Sequence, residues 1–245
     1  REFEQMEMEF FVPPEESEQW YEYWCNERLN WYIEHGIPED MVMLRPHDAD
    51  ELSHYSTGTS DVEFQFPWGF DELEGIAKRT DFDLKAHAAV SGEKLDYFDP
   101  QTNERYVPYV IEPAAGATRT MAAFLLAAYD EDEVNGEKRT VLRLHPRLAP
   151  YTIAVLPLSK KDTLTPLAHE VRKMLADRYM VDYDETQNIG KRYRRQDEIG
   201  TPLAVTVDFD SLDDNAVTVR DRDTTEQVRV PISELLATVT ERLGF

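Results

Sequence analysis

From Tyr151 onward the chain alternates strand-like and helix-like segments, and this alternation narrows what the second half can become. "YTIAVLPL" is a continuous apolar run, the pattern of a strand buried on both faces. "TPLAHEVRKMLADRY" follows, with Pro166 in the first helical turn, where its missing N–H costs no hydrogen bond, and Leu167, Val171, Met174 and Leu175 on one face. "MVDYD" is a short strand, and "NIGKRYRRQDEIG" is a basic helix closed by Gly200. "PLAVTVDFD" and "NAVTVRDRD" predict a hairpin pair. "PISELLATVTERLG" predicts a last helix with Ile232, Leu235, Leu236, Val239 and Leu243 on one stripe. Together these segments predict an α/β domain over residues 143–245, with helices covering a mixed sheet.

The first half reads differently. "REFEQMEMEFF" alternates like a strand, yet Phe3, Gln5 and Glu7 share one face while Glu2, Glu4, Met6 and Met8 share the other. Polar groups on both faces suit the wall of a polar pocket better than a core strand. Pro13 and Pro14 end the segment, and Ser17 is placed to cap a helix carrying Trp20, Tyr23, Trp24 and Trp31 that stops at Gly36. A polar stretch, "RPHDADELSHYSTGTSD", leads to the strand-like "VEFQFPWGF". "ELEGIAKRTDFD", residues 72–83, reads as a turn of helix and a charged loop. "YVPYVIEP" is a strand running into "AAGATRTMAAFLLAAYDEDE", a small-residue turn that opens an apolar helix. Acidic residues and glycine interrupt the pattern near 130–143, so one domain is expected over 1–142 and another over 143–245.

With 49 acidic and 26 basic residues the net charge is −23, which disfavours non-specific attraction to nucleic acid or anionic membrane and leaves only a local basic patch for RNA. The single cysteine, Cys25, allows no internal disulfide and suits a cytoplasmic home. No apolar run is long enough for a membrane span. The six histidines are scattered, so no zinc site is expected, and His47 and His54 read as surface residues. The absence of an initial Met suggests a piece of a longer protein.

Three segments carry chemistry. In "YVIEPAAGATR", Glu112 leaves a strand at a proline, Ala114, Ala115, Gly116 and Ala117 leave the backbone bare enough for a flat ligand, and Arg119 sits at a helix start that favours anions. The same residues also fit a plain strand-to-helix connection. In the opening strand, Phe3 offers a ring, and Glu7 could accept hydrogen bonds from an ammonium group. Glu72 and Glu74 could meet a polyphosphate through Mg²⁺, or simply form a solvated face. In "GKRYRRQ", Lys191, Arg192, Arg194 and Arg195 surround Tyr193, a pattern that fits either RNA binding or pairing with Asp197 and Glu198.

Taken together, "REFEQMEMEFF", "ELEGIAKRTDFDL", "YVIEPAAGATR" and "GKRYRRQDEIGTPLAVTVDFD" resemble the glycyl-tRNA synthetase family of the dimeric class II type. The resemblance runs along the whole chain and starts within the family's motif 2, with "EPAAGATR" as its motif 3. It implies the C-terminal part of an antiparallel-sheet class II catalytic domain, followed by an α/β anticodon-binding domain with a mixed sheet. It implies ATP and Mg²⁺ as cofactors, glycine and tRNA(Gly) as partners, and a homodimer in the full-length protein. Arg1, Glu2, Phe3, Glu72, Leu73, Gly116, Ala117, Thr118 and Arg119 would contact ATP, with adenine between Phe3 and Arg119. Phe3, Glu4, Gln5, Met6, Glu7, Arg79, Glu112, Pro113, Ala114, Ala115 and Gly116 would line the glycine and adenylate pocket. Glu72 and Arg119 would be the catalytic pair, Glu72 would also hold the metal, and Lys191, Arg192, Arg194 and Arg195 would touch tRNA. Two positions depart from the family pattern: Ala114 stands where serine is usual after "EP", and Thr118 where an acidic residue commonly precedes the arginine. Motif 1 and the first strand of motif 2 are missing, so a fragment of a ligase is expected, with a non-catalytic, nucleic-acid-binding or accessory paralogue as the alternative.

Overall fold

The computed structural model describes residues 3–245, so Arg1 and Glu2, both expected at ATP, lie outside the described residues. The chain divides into two compact units, one reaching Ala127 and the other spanning Ala128–Phe245. The second unit thus includes a hairpin that the sequence-based boundary at 142 had assigned to the first.

The first unit comprises β1 (Gln5–Glu7), β2 (Phe10–Val12), α1 (Ser17–Glu34), β3 (Val42–Pro46), β4 (Gly58–Phe66), β5 (Gly69–Thr80), α2 (Phe82–Ser91), β6 (Tyr97–Asp99), β7 (Glu104–Tyr106), β8 (Tyr109–Gly116) and α3 (Ala117–Ala128). Its main sheet runs β1-β8-β5-β4-β3, with β2 also on β8, and every pairing is antiparallel. Helix α1 begins at Ser17 itself, which is buried and gives no side-chain cap. Buried Leu73, Ile76, Phe64, Ile111 and Ala115 form the sheet's part of the core.

The sequence reading of residues 72–83 needs correction. Glu72 to Thr80 belong to β5, which is bonded to β4 on one side and β8 on the other. Its charges resembled a solvated helix face because one sheet face lines a polar cavity, while on the other Glu74 has buried cationic company. A bulge between Val62 and Glu63 breaks the simple alternation as well. Likewise Ala114 to Gly116 are not a turn but the last residues of β8.

The second unit opens with the hairpin β9 (Tyr129–Val134) and β10 (Glu137–Leu142). Asn135 and Gly136 form its turn with φ of 55° and 79°, the left-handed pair that two-residue hairpins require. There follow β11 (Ile153–Pro157), α4 (Thr165–Ala176), β12 (Val181–Tyr183), α5 (Ile189–Ile199), β13 (Leu203–Val207), α6 (Ser211–Asp214), β14 (Ala216–Asp221), β15 (Gln227–Pro231) and α7 (Ile232–Leu243). The sheet order is β12-β11-β13-β14-β15, parallel around β11 and antiparallel beyond β13. The mixed sheet read from the sequence is therefore present, with β15 as an additional strand. Val171 and Leu175 of α4 and Leu235, Val239 and Leu243 of α7 pack with Val155, Val205 and Val219 in one cluster. Ile189 and Tyr193 of α5 pack on Ala154, Leu156 and Ala204 in a second. Burying such aliphatic side chains is worth about 1.5–3 kcal/mol each.

Candidate active site

The bare end of β8 and the start of α3 border a cavity of about 540 Å³. Phe3, Gln5, Glu72, Ala114, Gly116, Thr118 and Arg119 line it, so residues from three separate sequence segments converge there. Antiparallel pairing explains the convergence, because Gln5 stands opposite Gly116 and Glu7 opposite Ala114, with Gly75 of β5 on the other side of Ala114. Gly116 and Ala114 leave the cavity floor nearly free of side chains, while Phe3 stands 69% exposed beside it.

Arg119 is already aimed. Its Nε donates to the Glu72 carbonyl at 2.5 Å, its Nη2 lies 3.1 Å from Asp71 Oδ2, and its guanidinium sits 4.6 Å above the Phe66 ring. Phe66 in turn stacks on Trp68, whose Nε1 donates to Asp71. The residue expected across the cavity from Phe3 thus rests on an aromatic pair supplied by the β4–β5 hairpin. Neither Phe66 nor Asp71 was singled out from sequence; the signal was the alternation of "VEFQFPWGF", which puts Phe64 and Phe66 on the same face of the strand.

Glu72 projects toward a second carboxylate. A Cβ built on Gly75 would lie 3.6 Å from Asp61 Oδ1 and 3.6 Å from Glu72 Oε1, so the two oxygens approach the same point. Partial burial and the Asp61 charge raise the Glu72 pKa, with Arg119 opposing them. Asp61 is held on its other oxygen by His47 Nε2 at 2.7 Å, and Arg45 Nη2 lies 3.4 Å away. His47 is therefore not a surface residue but the support of a buried carboxylate. Among the described residues no three His, Cys, Asp or Glu side chains form a metal cage. Two convergent carboxylates nevertheless suit Mg²⁺, which commonly takes one or two protein carboxylates and completes its shell with phosphate and water.

Farther along β8, Arg79 Nη1 donates to both Glu112 oxygens at 2.8 and 2.7 Å, and its Nε to Asp83 Oδ2 at 2.8 Å. The guanidinium lies 4.2 Å over Tyr55. Glu9 is the acidic residue that sequence reasoning missed. Burial of its carboxyl, then its hydrogen bond to Glu112, push its pKa up to about 7.

Several expected contacts are redirected by the pleat. Pro113 and Ala115 are buried, and with Met6 they border a separate cavity of about 200 Å³ beside Trp24 and Arg28 of α1. Their side chains therefore do not share the cavity of Phe3 and Arg119. Glu7 also borders this smaller cavity. Leu73 is 2% exposed, so its side chain belongs to the core, although the residue also borders the cavity of Phe3 and Arg119. Glu74, two residues from Glu72, is instead buried against Arg28 at 2.7 and 3.1 Å and Tyr32 Oη at 2.7 Å. Glu4 meets the site only through its backbone, its carbonyl accepting from Ala117 N at 2.8 Å.

Of the four cations expected at tRNA, Arg192 must be withdrawn. It is 1% exposed, and its guanidinium donates to the carbonyls of Pro157, Asp184 and Leu158. Arg195 pairs with Asp184, while Arg194 Nη2 lies 3.5 Å from Glu137 Oε2 and Lys191 is exposed.

A family model described as an anticodon binding domain matches residues 152–242. The whole chain is 58% identical over 246 residues to the glycine–tRNA ligase of Macrococcus caseolyticus, covering 100% of the chain and 53% of that protein. The corresponding protein of Bacillus cereus is 58% identical over 245 residues, again with 100% and 53% covered. The chain matches a portion of the glycyl-tRNA synthetases. It spans about half the length of these curated relatives. The glycine–tRNA ligase of Corynebacterium glutamicum aligns comparably, at 58% identity over 253 residues, 99% of the chain and 54% of the relative. The described residues contain no helix long and apolar enough to cross a membrane.

Proposed function

We propose that the chain is part of a cytoplasmic, homodimeric glycine–tRNA ligase that activates glycine with ATP and passes it to tRNA(Gly). The observation that carries this reading is the single cavity in which Phe3, Glu72 and Arg119 meet over the side-chain-poor end of β8. A nucleotide fits such a floor because nothing larger than alanine obstructs it at Ala114 and Gly116. Arg119 has the planar, permanently charged group suited to adenine stacking and to triphosphate oxygens. Glu72, with Asp61 behind it, is the residue that would hold Mg²⁺. When bound, the ion would neutralise phosphate charge as pyrophosphate leaves.

The chemistry needs no covalent enzyme intermediate. The glycine carboxylate attacks the α-phosphate of ATP, and a terminal tRNA hydroxyl then attacks the resulting glycyl-adenylate. The residues of this chain orient and stabilise. Glu112, neutralised by Arg79, and the nearby Glu7 present oxygens for the glycine ammonium and crowd the space a side chain would need. Steric refusal is the effective device, because an apolar slot discriminates one methylene by only about 1–3 kcal/mol.

Glycine-dependent exchange of pyrophosphate into ATP tests the reading. It should appear in this chain extended upstream to the relatives' length, with glycine but not alanine or serine. A folded, extended protein without exchange would overturn the proposal and favour the non-catalytic paralogue.

A further inference from the structure

Arg119 is useful to a nucleotide only if its plane is held in one orientation, because a long side chain left free would have to be ordered again at each binding event. Three contacts hold that plane. Nε donates to the Glu72 carbonyl, Nη2 pairs with Asp71 Oδ2 at 3.1 Å, and one face rests on the Phe66 ring. Among the described residues Nη1 is thus the guanidinium nitrogen without a protein partner, and the face away from Phe66 is the one left for a ligand in the cavity that Phe3 also lines. We propose that Asp71 is a positioning residue for the nucleotide, acting through Arg119 by fixing the plane on which the base stacks. The inference deepens the ATP part of the proposed function and rests on it.

Asp71 is itself anchored by the β4–β5 hairpin. It lies near the start of β5, opposite Phe64 in the strand pairing. The turn ahead of it passes through Gly69 at φ 119°, a conformation that residues with a Cβ rarely adopt. That turn folds Trp68 back onto Phe66, with the ring centroids 4.9 Å apart and the planes 2° from parallel. Trp68 Nε1 donates to Asp71 Oδ2 at 3.0 Å, and the Glu72 backbone N–H donates to Oδ1 at 3.0 Å. Each carboxylate oxygen therefore has its own donor on the hairpin, and Arg119 docks onto an anion that is already oriented. The Trp68 hydrogen bond, then the one to Arg119, hold the Asp71 carboxyl below the usual carboxylate range, so the group is ionised at neutral pH.

A carboxylate beside a triphosphate site also repels phosphate, and the two effects have opposite signs. Asp71 is 47% exposed at its side chain, so its repulsion of a phosphate crosses solvent and is screened. Its pairing with Arg119 is direct, and the alignment of the plane is lost when the pair is lost. Positioning is therefore the larger effect, though modest, as expected for a pair open to water.

The test uses the chain extended upstream to the relatives' length, with adenosine and Mg²⁺–ATP titrated separately by calorimetry. Asp71→Ala should weaken both ligands by the same factor, about fivefold, the upper range for an exposed ion pair. Asp71→Asn, whose amide oxygen can still accept from Arg119, should recover most of the loss. In pyrophosphate exchange the KM for ATP should rise by that factor, with kcat and the KM for glycine unchanged, because base stacking is shared by ground and transition states. Thermal unfolding should match the wild type, which separates positioning from a folding defect. Adenosine affinity unchanged in Asp71→Ala, or ATP bound more tightly, overturns the role of Asp71 and leaves the ATP reading standing. A wild-type protein that binds neither ligand and exchanges no pyrophosphate overturns both.

Discussion

Glu9 stands across the β8 pairing from Glu112, and partial burial of its carboxyl, then its interaction with Glu112, favours its protonated form. Continuing the register of β1 and β2 along β8 sets the two residues opposite each other, where two ionised groups would repel. The Glu9 pKa rises from 4.5 to about 7 on folding, so the folded protein holds this proton more tightly than the unfolded one. The stabilising effect is complete below pH 4.5 and disappears as the pH rises through 7. Thermal unfolding of the wild type and Glu9→Gln between pH 4.5 and 8 should therefore show a decline in Tm in the wild type that the glutamine variant lacks. Parallel curves would refute a protonated Glu9 in the folded state.

Arg119 stacks on Phe66 as well as carrying charge. In the extended protein, Arg119→Ala should lower pyrophosphate exchange by about 10²–10³, the usual cost of one electrostatic donor at a reacting centre. Arg119→Lys should recover little, because lysine keeps the charge and loses the planar contact. Full activity in the lysine variant would show that the stacking is irrelevant.

Ala114 faces Gly75 across the strand pair and lacks the hydroxyl that the family pattern carries. Ala114→Ser should tighten glycine binding by about 0.5–1.5 kcal/mol, the value of one added hydrogen bond. The KM for glycine in the exchange assay should fall up to tenfold, with the KM for ATP unchanged.

Asp197 lies between two buried arginines. Asp197→Ala would leave buried Arg220 without its carboxylate, while Arg139 keeps Asp132 and the Arg222 carbonyl, and should destabilise the second unit by about 3–5 kcal/mol. The urea midpoint, followed by far-UV circular dichroism, should drop accordingly, and Asp197→Asn should fall between the two. A change below about 1 kcal/mol would mean that the arginines find other partners.

The sequence made the second unit legible because its signals are local. "YTIAVLPL" is buried on both faces as β11, and Gly200 ends α5 in the left-handed conformation. Glu72–Thr80 was misread because a strand with a cavity on one face and a buried ion pair on the other shows no apolar stripe. That Phe3, Glu72 and Arg119 line one cavity was legible only through resemblance to a family, since strand pairing brings them together. Glu9, His47 and Phe66 act through cross-strand or supporting contacts, which have no signature along the chain.

The carbonyl cradle of Arg192 has a consequence for ionic strength. Four clustered cations would displace about four counterions from single-stranded RNA, giving a slope near −2.8 when log affinity is plotted against log salt. With Arg192 turned inward and Arg195 neutralised by Asp184, only Lys191 and Arg194 remain for phosphates, and the slope contributed by α5 falls to about −1.4. On the proposed tRNA reading, an α5 surface with two such cations would hold RNA mainly by stacking and base contacts, which added salt screens far less.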